Sequence, residues 1–306
     1  MRRLVSLLAL LPGLAQAQAP TGIRAIDWAN RTYGEGEQAM KLVNGEWERT
    51  QEDESYTESM RLVGVAYGDV NKDGVEDAVV HTAYNGGGTG TFDSVDIYTP
   101  GKAGPTKNGQ HPGGDRGDGG VDAVKFDGGA LLLTRRGSLA VDGACCPSLT
   151  IQERWTWAPG GPVLDAEAQR VSVDATPSGD YAALRKAGLA ALATDATQAA
   201  GTLRDALALH PTDAVALQEL GLALMKSREW VAVPVLYHAL AISPDKAKPS
   251  ILYNLGMVCI ELDRPADAVK ALEKSLALRP GNAPTEAALA RAKAKLAAAG
   301  SGPPKY

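Results

Sequence analysis

The stretch "DVNKDGVED", residues 69–77, carries five oxygen-bearing side chains on one short loop, with Glu76 among them. Acidic or amide residues stand at relative positions one, three, five and nine, and a glycine stands at position six. Ca²⁺ takes about six to eight oxygen ligands in a flexible geometry. The spacing predicts a structural calcium site whose ligands are Asp69, Asn71, Asp73, the backbone carbonyl of Val75, and Asp77. The alternative is a tight hairpin turn, because turns also prefer Asn, Asp and Gly.

The loop departs from the EF-hand pattern, since its twelfth position is Val80 where a bidentate Glu belongs. It is more similar to the D-x-[DN]-x-D-G-x-x-D loops of extracellular FG-GAP and dockerin-like modules. That resemblance implies a weak structural calcium site of the extracellular type.

Three cysteines offer a second kind of chemistry. Cys145 and Cys146 are adjacent in "GACCPS", and Cys259 lies far along the chain. An oxidising compartment favours a bond between Cys145 and Cys146, whereas the strained ring that adjacent cysteines form opposes it. Reduced or differently paired thiols in a turn are the alternative. Cys259 is predicted to be a buried, unreactive side chain.

No catalytic constellation can be assembled from the remaining residues. The four histidines, at positions 81, 111, 210 and 238, lack metal-ligand spacing with one another or with cysteine. "GGDRGDGG" lacks the Lys and Ser or Thr of a phosphate-binding P-loop. The sequence therefore predicts a protein that is not an enzyme, with the glycine-rich half as the part where a site could still lie.

Residues 1–19, "MRRLVSLLALLPGLAQAQA", combine a basic pair, an apolar run and a small-residue exit. This pattern is typical of a secretory signal peptide, and no later segment is apolar enough to span a membrane. Removing Arg2 and Arg3 changes the formal net charge from −5 to −7. An acidic chain without a basic stripe is a poor partner for nucleic acid. We expect a protein that is periplasmic or secreted.

The composition divides the chain into two parts, because residues 20–165 are rich in glycine and tryptophan and residues 180–300 in alanine and leucine. The first part contains short β-like runs between glycine-rich turns: "RLVGVAYG", "DAVVHTAY", "FDSVDIYT", "VDAVKF", "GALLLTRRG" and "LTIQERWTWAP". The connections are too short for crossover helices, which predicts antiparallel strands in an all-β or α+β domain. "HPGGDRGDGG" is predicted to be a loop.

Residues 60–158, with "YGDVNKDGVEDAVVHTAYNGGGTG", "GGDRGDGGVDAVKFDGGALLL", "GACCPS" and "ERWTW", resemble a family of bacterial exported domains related to the LppP/LprE lipoproteins. The resemblance brings no established activity. No cysteine stands directly after the signal peptide, so the lipid anchor of those lipoproteins is not predicted here.

The second part repeats one pattern three times. "LRDALALHP", "VLYHALAISP" and "ALEKSLALRP" superimpose at their prolines, and Gly188, Gly221 and Gly256 recur upstream at intervals of 33 and 35 residues. Each unit predicts a helix, a turn, a second amphipathic helix and a proline stop. The pattern resembles the tetratricopeptide repeat (TPR). It predicts three repeats over 180–283, a capping helix over 284–299, a linker over 166–179 and a disordered tail over 300–306.

The TPR resemblance implies a ligand groove lined by the first helix of each repeat. Carried over by position, its residues are Arg185, Lys186 and Leu189, then Gln218, Glu219 and Leu222, then Tyr253, Asn254 and Met257. The aliphatic floor fits an apolar or helical peptide, and the few Lys and Asn residues argue against a carboxylate clamp. The alternative is a groove filled by the protein's own cap or N-terminal domain.

These observations favour an exported binding or adaptor protein that holds a peptide or protein partner in the TPR groove. The β-rich domain would then be an anchor or a second binding surface. The alternative is a hydrolase or carbohydrate-binding protein whose site lies among the loops of the β-rich domain.

Overall fold

The computed structural model describes residues 22–50, 56–114, 119–143, 146–158 and 161–299. The predicted signal peptide and the predicted tail lie outside these residues. The strands are β1 (Thr32–Tyr33), β2 (Met40–Lys41), β3 (Glu46–Thr50), β4 (Thr57–Gly68), β5 (Asp77–Asn85), β6 (Phe92–Thr99), β7 (Thr106–Gly114), β8 (Val121–Asp127), β9 (Ala130–Gly137), β10 (Leu149–Ala158), β11 (Gly161–Leu164) and β12 (Arg170–Val173). The helices are α1 (Tyr181–Ala191), α2 (Ala196–Leu209), α3 (Ala214–Lys226), α4 (Ala232–Ile242), α5 (Lys248–Glu261), α6 (Pro265–Leu278) and α7 (Ala283–Ala299). The 3-10 helices are Gly22–Ala25, Trp28–Asn30, Gly36–Gln38, Ala166–Ala168 and Asp245–Ala247.

The N-terminal part is built from two antiparallel sheets, which confirms the predicted fold class. Sheet I has the strand order β3-β4-β5-β6-β7. Sheet II has the order β11-β10-β9-β8, and β12 also pairs with β10. The short strands β1 and β2 form a separate ladder.

The centre of sheet I, around β5, is buried on both faces. One face, with Val80 of β5, packs against the N-terminal segment that contributes Trp28 and Leu42. The opposite face, with Val79, packs against sheet II. This explains the continuous apolar run of residues 78–80 in the first half of β5, since neither face of this part of the strand meets water.

Sheet II uses different parts of one face for two partners. Leu131 and Trp155 pack against sheet I, whereas Leu149 and Ile151 join the core of the helices. The odd-numbered residues of β10 from 149 to 155 are all buried, and Gln152 between them is exposed. The alternation of side chains along β10 therefore gives one face that is accessible to solvent and one buried face that contacts sheet I and the helices.

The helices form three pairs, α1–α2, α3–α4 and α5–α6, and α7 packs on the last pair. Each repeat glycine lies where the partner helix comes close. A Cβ atom added at Gly221 would lie 2.5 Å from Cδ2 of Leu236, and one at Gly256 would lie 2.4 Å from Cγ of Leu272. Glycine recurs in the sequence because no larger residue fits this crossing without displacing a buried leucine.

Two segments differ from the sequence prediction. Strand β7 includes the first four residues of "HPGGDRGDGG", which was predicted to be a loop. Strand β12 lies within the predicted linker 166–179, because Val171 is buried in the helical core while its strand pairs with β10. In both segments pairing with a neighbouring strand of the sheet, β6 for β7 and β10 for β12, overrides the local glycine or polar composition.

Within the part of the chain described, none of the helices has both the length and the apolar character needed to cross a bilayer.

Candidate functional site

The first helices of the repeats, α1, α3 and α5, lie side by side, and α7 continues the row. A bidentate ion pair joins α1 to α3, with Arg185 Nε 2.6 Å from Glu219 Oε2 and Nη2 2.5 Å from Oε1. Nη2 of Arg291 in α7 lies 3.7 Å from Sδ of Met257 in α5. The surface of this row is called the groove below.

The groove residues predicted from the TPR resemblance are all on these first helices. Lys186 and Leu189 are exposed, and the remaining ones are half-buried: Arg185, Gln218, Glu219, Leu222, Tyr253, Asn254 and Met257. Leu189 has 42% of its surface accessible, and Val215, at the second position of its repeat, has 53%. Val215 was not named from the sequence, although the resemblance puts its repeat position in the groove. The groove thus presents accessible aliphatic side chains beside charged ones.

Arg185 is not available as a clamp for a carboxylate ligand. Its hydrogen bonds to Glu219 raise the pKa of the guanidinium above its usual value, and burial opposes that effect only in part. Beside it, the Tyr181 hydroxyl donates a hydrogen bond to Asp213, and burial together with this contact raises the pKa of Tyr181 to about 12. Arg185 and Asp213 at this end of the groove are therefore already engaged, by Glu219 and Tyr181 respectively.

The β-rich domain packs against the second helices of the repeats, mainly α2 and α4, rather than against the groove. Arg204 of α2 forms an ion pair of 2.5 Å with Asp142, a buried carboxylate between β9 and β10. The Val171 amide of β12 donates to Nδ1 of His238 in α4, at 3.3 Å. The sheets therefore contact the second helices, whereas the groove residues lie on the first helices, α1, α3 and α5.

A buried polar cluster lies where sheet I, sheet II and the helices meet. Glu153 of β10 accepts a hydrogen bond from the Trp155 indole at 3.0 Å and lies 3.9 Å from His111 Nε2 of β7. Nη1 of Arg135 in β9 lies 3.5 Å from Oε1 of Glu153. The guanidinium carbon of Arg135 lies 5.1 Å from the Trp230 ring centroid. Burial and the Arg135 charge lower the pKa of His111 to about 4. His111 is therefore a neutral structural side chain at pH 7.

The other histidines also serve structural contacts. His81 is buried and lies 2.8 Å from Asp93 through Nε2. The His210 ring packs against the Tyr181 ring at an interplanar angle of 56°, with ring centroids 4.4 Å apart. His238 takes part in the contact between the domains described above.

The side chains of the predicted calcium loop accept hydrogen bonds from the loop itself. Asp69 accepts from the amides of Asp73 and Gly74, and Asp73 accepts from the amide of Val75 at 2.8 Å. Asn71 accepts from the Asp73 amide at 2.9 Å. These are the local bonds of a turn stabilised by Asp and Asn side chains.

Asp77 is the one predicted ligand that the turn does not fully satisfy. Its side chain is fully buried, and Oδ2 accepts from the Val70 amide at 3.0 Å. The Asn71 amide also interacts with this carboxylate, yet Oδ1 has no hydrogen bond of normal geometry. Burial is the largest effect on its carboxyl group, and it raises the pKa. Among the described residues, no three His, Cys, Asp or Glu side chains are grouped so as to hold a metal ion. A cation here would need Asn71 and the Val75 carbonyl as additional ligands.

Cys146 is disulfide-bonded, and Cys145 lies outside the described residues, so their predicted pairing stays a prediction. Cys259 is a free, buried thiol, and burial raises its pKa to about 12. A thiol with that pKa stays protonated at neutral pH and is therefore unreactive.

No curated protein shows a significant match to the chain. Solved structures that resemble it include the Arabidopsis OM64 TPR domain, 20% identical over 37% of this chain and 94% of that chain, with a TM-score of 0.34. Another is the first TPR of Spaghetti (RPAP3) bound to the HSP90 peptide SRMEEVD, 17% identical over 39% of this chain and 94% of that chain, with a TM-score of 0.35. Residues 249–282, which include nearly all of α5 and the whole of α6, match the family model of the tetratricopeptide repeat.

Proposed function

We propose that the protein is an exported binding protein that holds a peptide or protein partner in the groove of α1, α3 and α5. One observation carries this proposal. The β-rich domain occupies the side of α2 and α4, so the groove keeps accessible aliphatic side chains such as Leu189. Accessible apolar side chains in a row of parallel helices are the usual basis for binding an amphipathic segment.

The partner we propose is an apolar segment within a chain rather than an acidic C-terminus. A terminal carboxylate is recognised by fixed cationic donors, and Arg185 already binds Glu219 through two hydrogen bonds. Breaking that pair to bind a ligand carboxylate would leave Glu219 without its partner. Contacts to Leu189, Leu222 and Val215 require no such exchange.

Selection of random peptides displayed on phage against the immobilised full chain tests the proposal. The test variant is Leu189→Glu with Leu222→Glu, and the matched control is Leu209→Glu, which changes a leucine of similar exposure (40%) on α2. We expect the wild type and the control to enrich a common apolar peptide pattern and the groove variant to lose it. Equal enrichment on all three proteins would contradict the proposal.

For the β-rich domain we propose a scaffold role, with the Asp69–Asp77 loop as a structural calcium site. The observation that favours a cation is Oδ1 of Asp77, buried and without a hydrogen-bond partner. Asp69, Asn71, Asp73, the Val75 carbonyl and Asp77 would hold the ion. Calcium would neutralise the repulsion between these carboxylates and so stabilise the β4–β5 hairpin.

A further inference from the structure

A cleft of about 380 Å³ lies between α4, α5 and α6, beside the 3-10 helix Ala166–Ala168. It shares no residue with the groove. Its wall is mostly apolar and includes Tyr237 and Leu240 of α4, Leu252 of α5 and Leu278 of α6. Leu252 is buried, whereas Leu278 is 55% exposed, so the apolar wall runs from the interior of the helical array to solvent. The volume falls in the range of small-molecule sites.

Two ammonium groups and one carboxylate line the same cleft. Lys274 of α6 forms an ion pair with Glu167 of the β-rich domain, and both side chains are 57% exposed. Lys248, the first residue of α5, pairs at 2.7 Å with Asp245, which is 94% exposed and does not line the cleft. Exposed pairs of this kind contribute little to stability, so a ligand can replace them at small cost.

The chain connection at this point explains the position of Lys248. Residues 243–247 join α4 to α5 and include the 3-10 helix Asp245–Ala247, whereas 210–213 join α2 to α3. The longer connection ends at Lys248, where the ammonium group and the positive end of the α5 helix dipole both favour an anion.

We propose that this cleft binds an aliphatic carboxylate, an amphiphile with one apolar chain and one anionic head. The chain packs against Leu240, Leu252 and Leu278. The head lies between Lys248 and Lys274 and takes the place of the Glu167 carboxylate. Charge complementarity supports this class of ligand, because the lining has two cations and one anion that a ligand can displace.

Isothermal titration calorimetry of the full chain with dodecanoate, below its micelle concentration and at pH 8, tests the site. The variants are Lys274→Gln, which removes a cation, and Glu167→Gln, which removes the competing carboxylate from the same ion pair. Lys270→Gln is the matched control, since Lys270 is 76% exposed on the same helix and does not line the cleft.

We expect saturable binding to the wild type, at least tenfold weaker binding to Lys274→Gln, several-fold tighter binding to Glu167→Gln and no change in Lys270→Gln. The groove variant Leu189→Glu with Leu222→Glu should bind dodecanoate like the wild type. Absence of saturable binding, equal binding of dodecanol, or shifts of the same sign in Lys274→Gln and Glu167→Gln would overturn the proposal.

Discussion

A buried carboxylate oxygen distinguishes the Asp69–Asp77 loop from an ordinary turn. The loop amides satisfy Asp69 and Asp73, as in a turn without metal, yet Oδ1 of Asp77 is buried and has no partner. A buried polar atom without a hydrogen bond is costly. A bound cation would remove that cost, so the two interpretations of the loop predict different responses to calcium.

Asp73→Asn separates the two interpretations of the loop. The asparagine keeps an oxygen for the Val75 amide, so the turn survives while one ligand charge is lost. We expect calcium to raise the melting temperature of the wild type. In calcium the variant should melt about 3 °C or more below the wild type, whereas in chelator the two proteins should melt at the same temperature. Differential scanning calorimetry in calcium and in chelator measures this. An equal difference in both buffers would leave only the turn interpretation.

His111 should make the stability of the β-rich domain dependent on pH. The unfolded chain takes up the proton near pH 6.5, whereas the folded protein resists it down to about pH 4. The unfolded state therefore binds more protons between these values, and stability falls as the pH falls through this window, by on the order of 3 kcal/mol. In His111→Phe, which keeps a ring against Trp155, urea unfolding should show a smaller loss from pH 7 to pH 4. Parallel pH curves for the two proteins would contradict this role of His111.

At the scale of the elements, each helix pair depends on a glycine that faces a buried leucine. The recurrence of Gly188, Gly221 and Gly256 has a spatial reason, because all three occupy the crossing point of their pair. In an open helix, Gly→Ala would add about 1 kcal/mol of stability. Here the added methyl group collides with a fully buried side chain.

Gly256→Ala should therefore destabilise the protein by about 1–3 kcal/mol, despite the gain in helix propensity. In a Leu272→Ala background the same change should become neutral or stabilising, because the colliding side chain has been removed. Chemical denaturation of the wild type, both single variants and the double variant completes this double-mutant cycle. A similar loss in both backgrounds would mean that the contact with Leu272 does not decide the effect.

The sequence predicts those elements well whose signals are local. The helix pairs follow from the glycine and proline spacing, and most strands follow from short apolar runs. Strand β12 and the end of β7 were missed because their residues are polar or glycine-rich, and their strand structure depends on pairing with β10 and β6 rather than on a local apolar run. The groove positions follow from the repeat pattern, whereas the pairing of Arg185 with Glu219 requires the stacking of α1 on α3.

At the scale of the whole molecule, sheet II couples the β-rich domain to the repeats. One end of its buried face belongs to the core of the sheets and the other to the core of the helices. Asp142 reinforces this contact, since it is nearly fully buried and accepts bonds from Leu139, Ser148 and Arg204. The two domains should therefore unfold together.

Asp142→Ala should lower the free energy of unfolding by about 3–5 kcal/mol, because it leaves Arg204 without its buried partner. The control is Asp205→Ala, which removes the second carboxylate bound to Arg204, one that is 29% exposed, and should cost under about 1 kcal/mol. Urea unfolding is followed by tryptophan fluorescence, which reports mainly on the β-rich domain because four of the five tryptophans lie there, and by circular dichroism for the helices. The two signals should give coincident transitions in the wild type. Separate transitions, or equal losses in the two variants, would contradict the coupling.

Hydrogen exchange measured by mass spectrometry on the full chain, free and bound to a peptide selected by phage display, tests the central claim most directly. If the groove holds the partner, amides of α1, α3 and α5 gain protection, while α2 and the sheets change little. Protection confined to α2, α4 or the loops of the β-rich domain would contradict the account and move the binding site to the other side of the molecule.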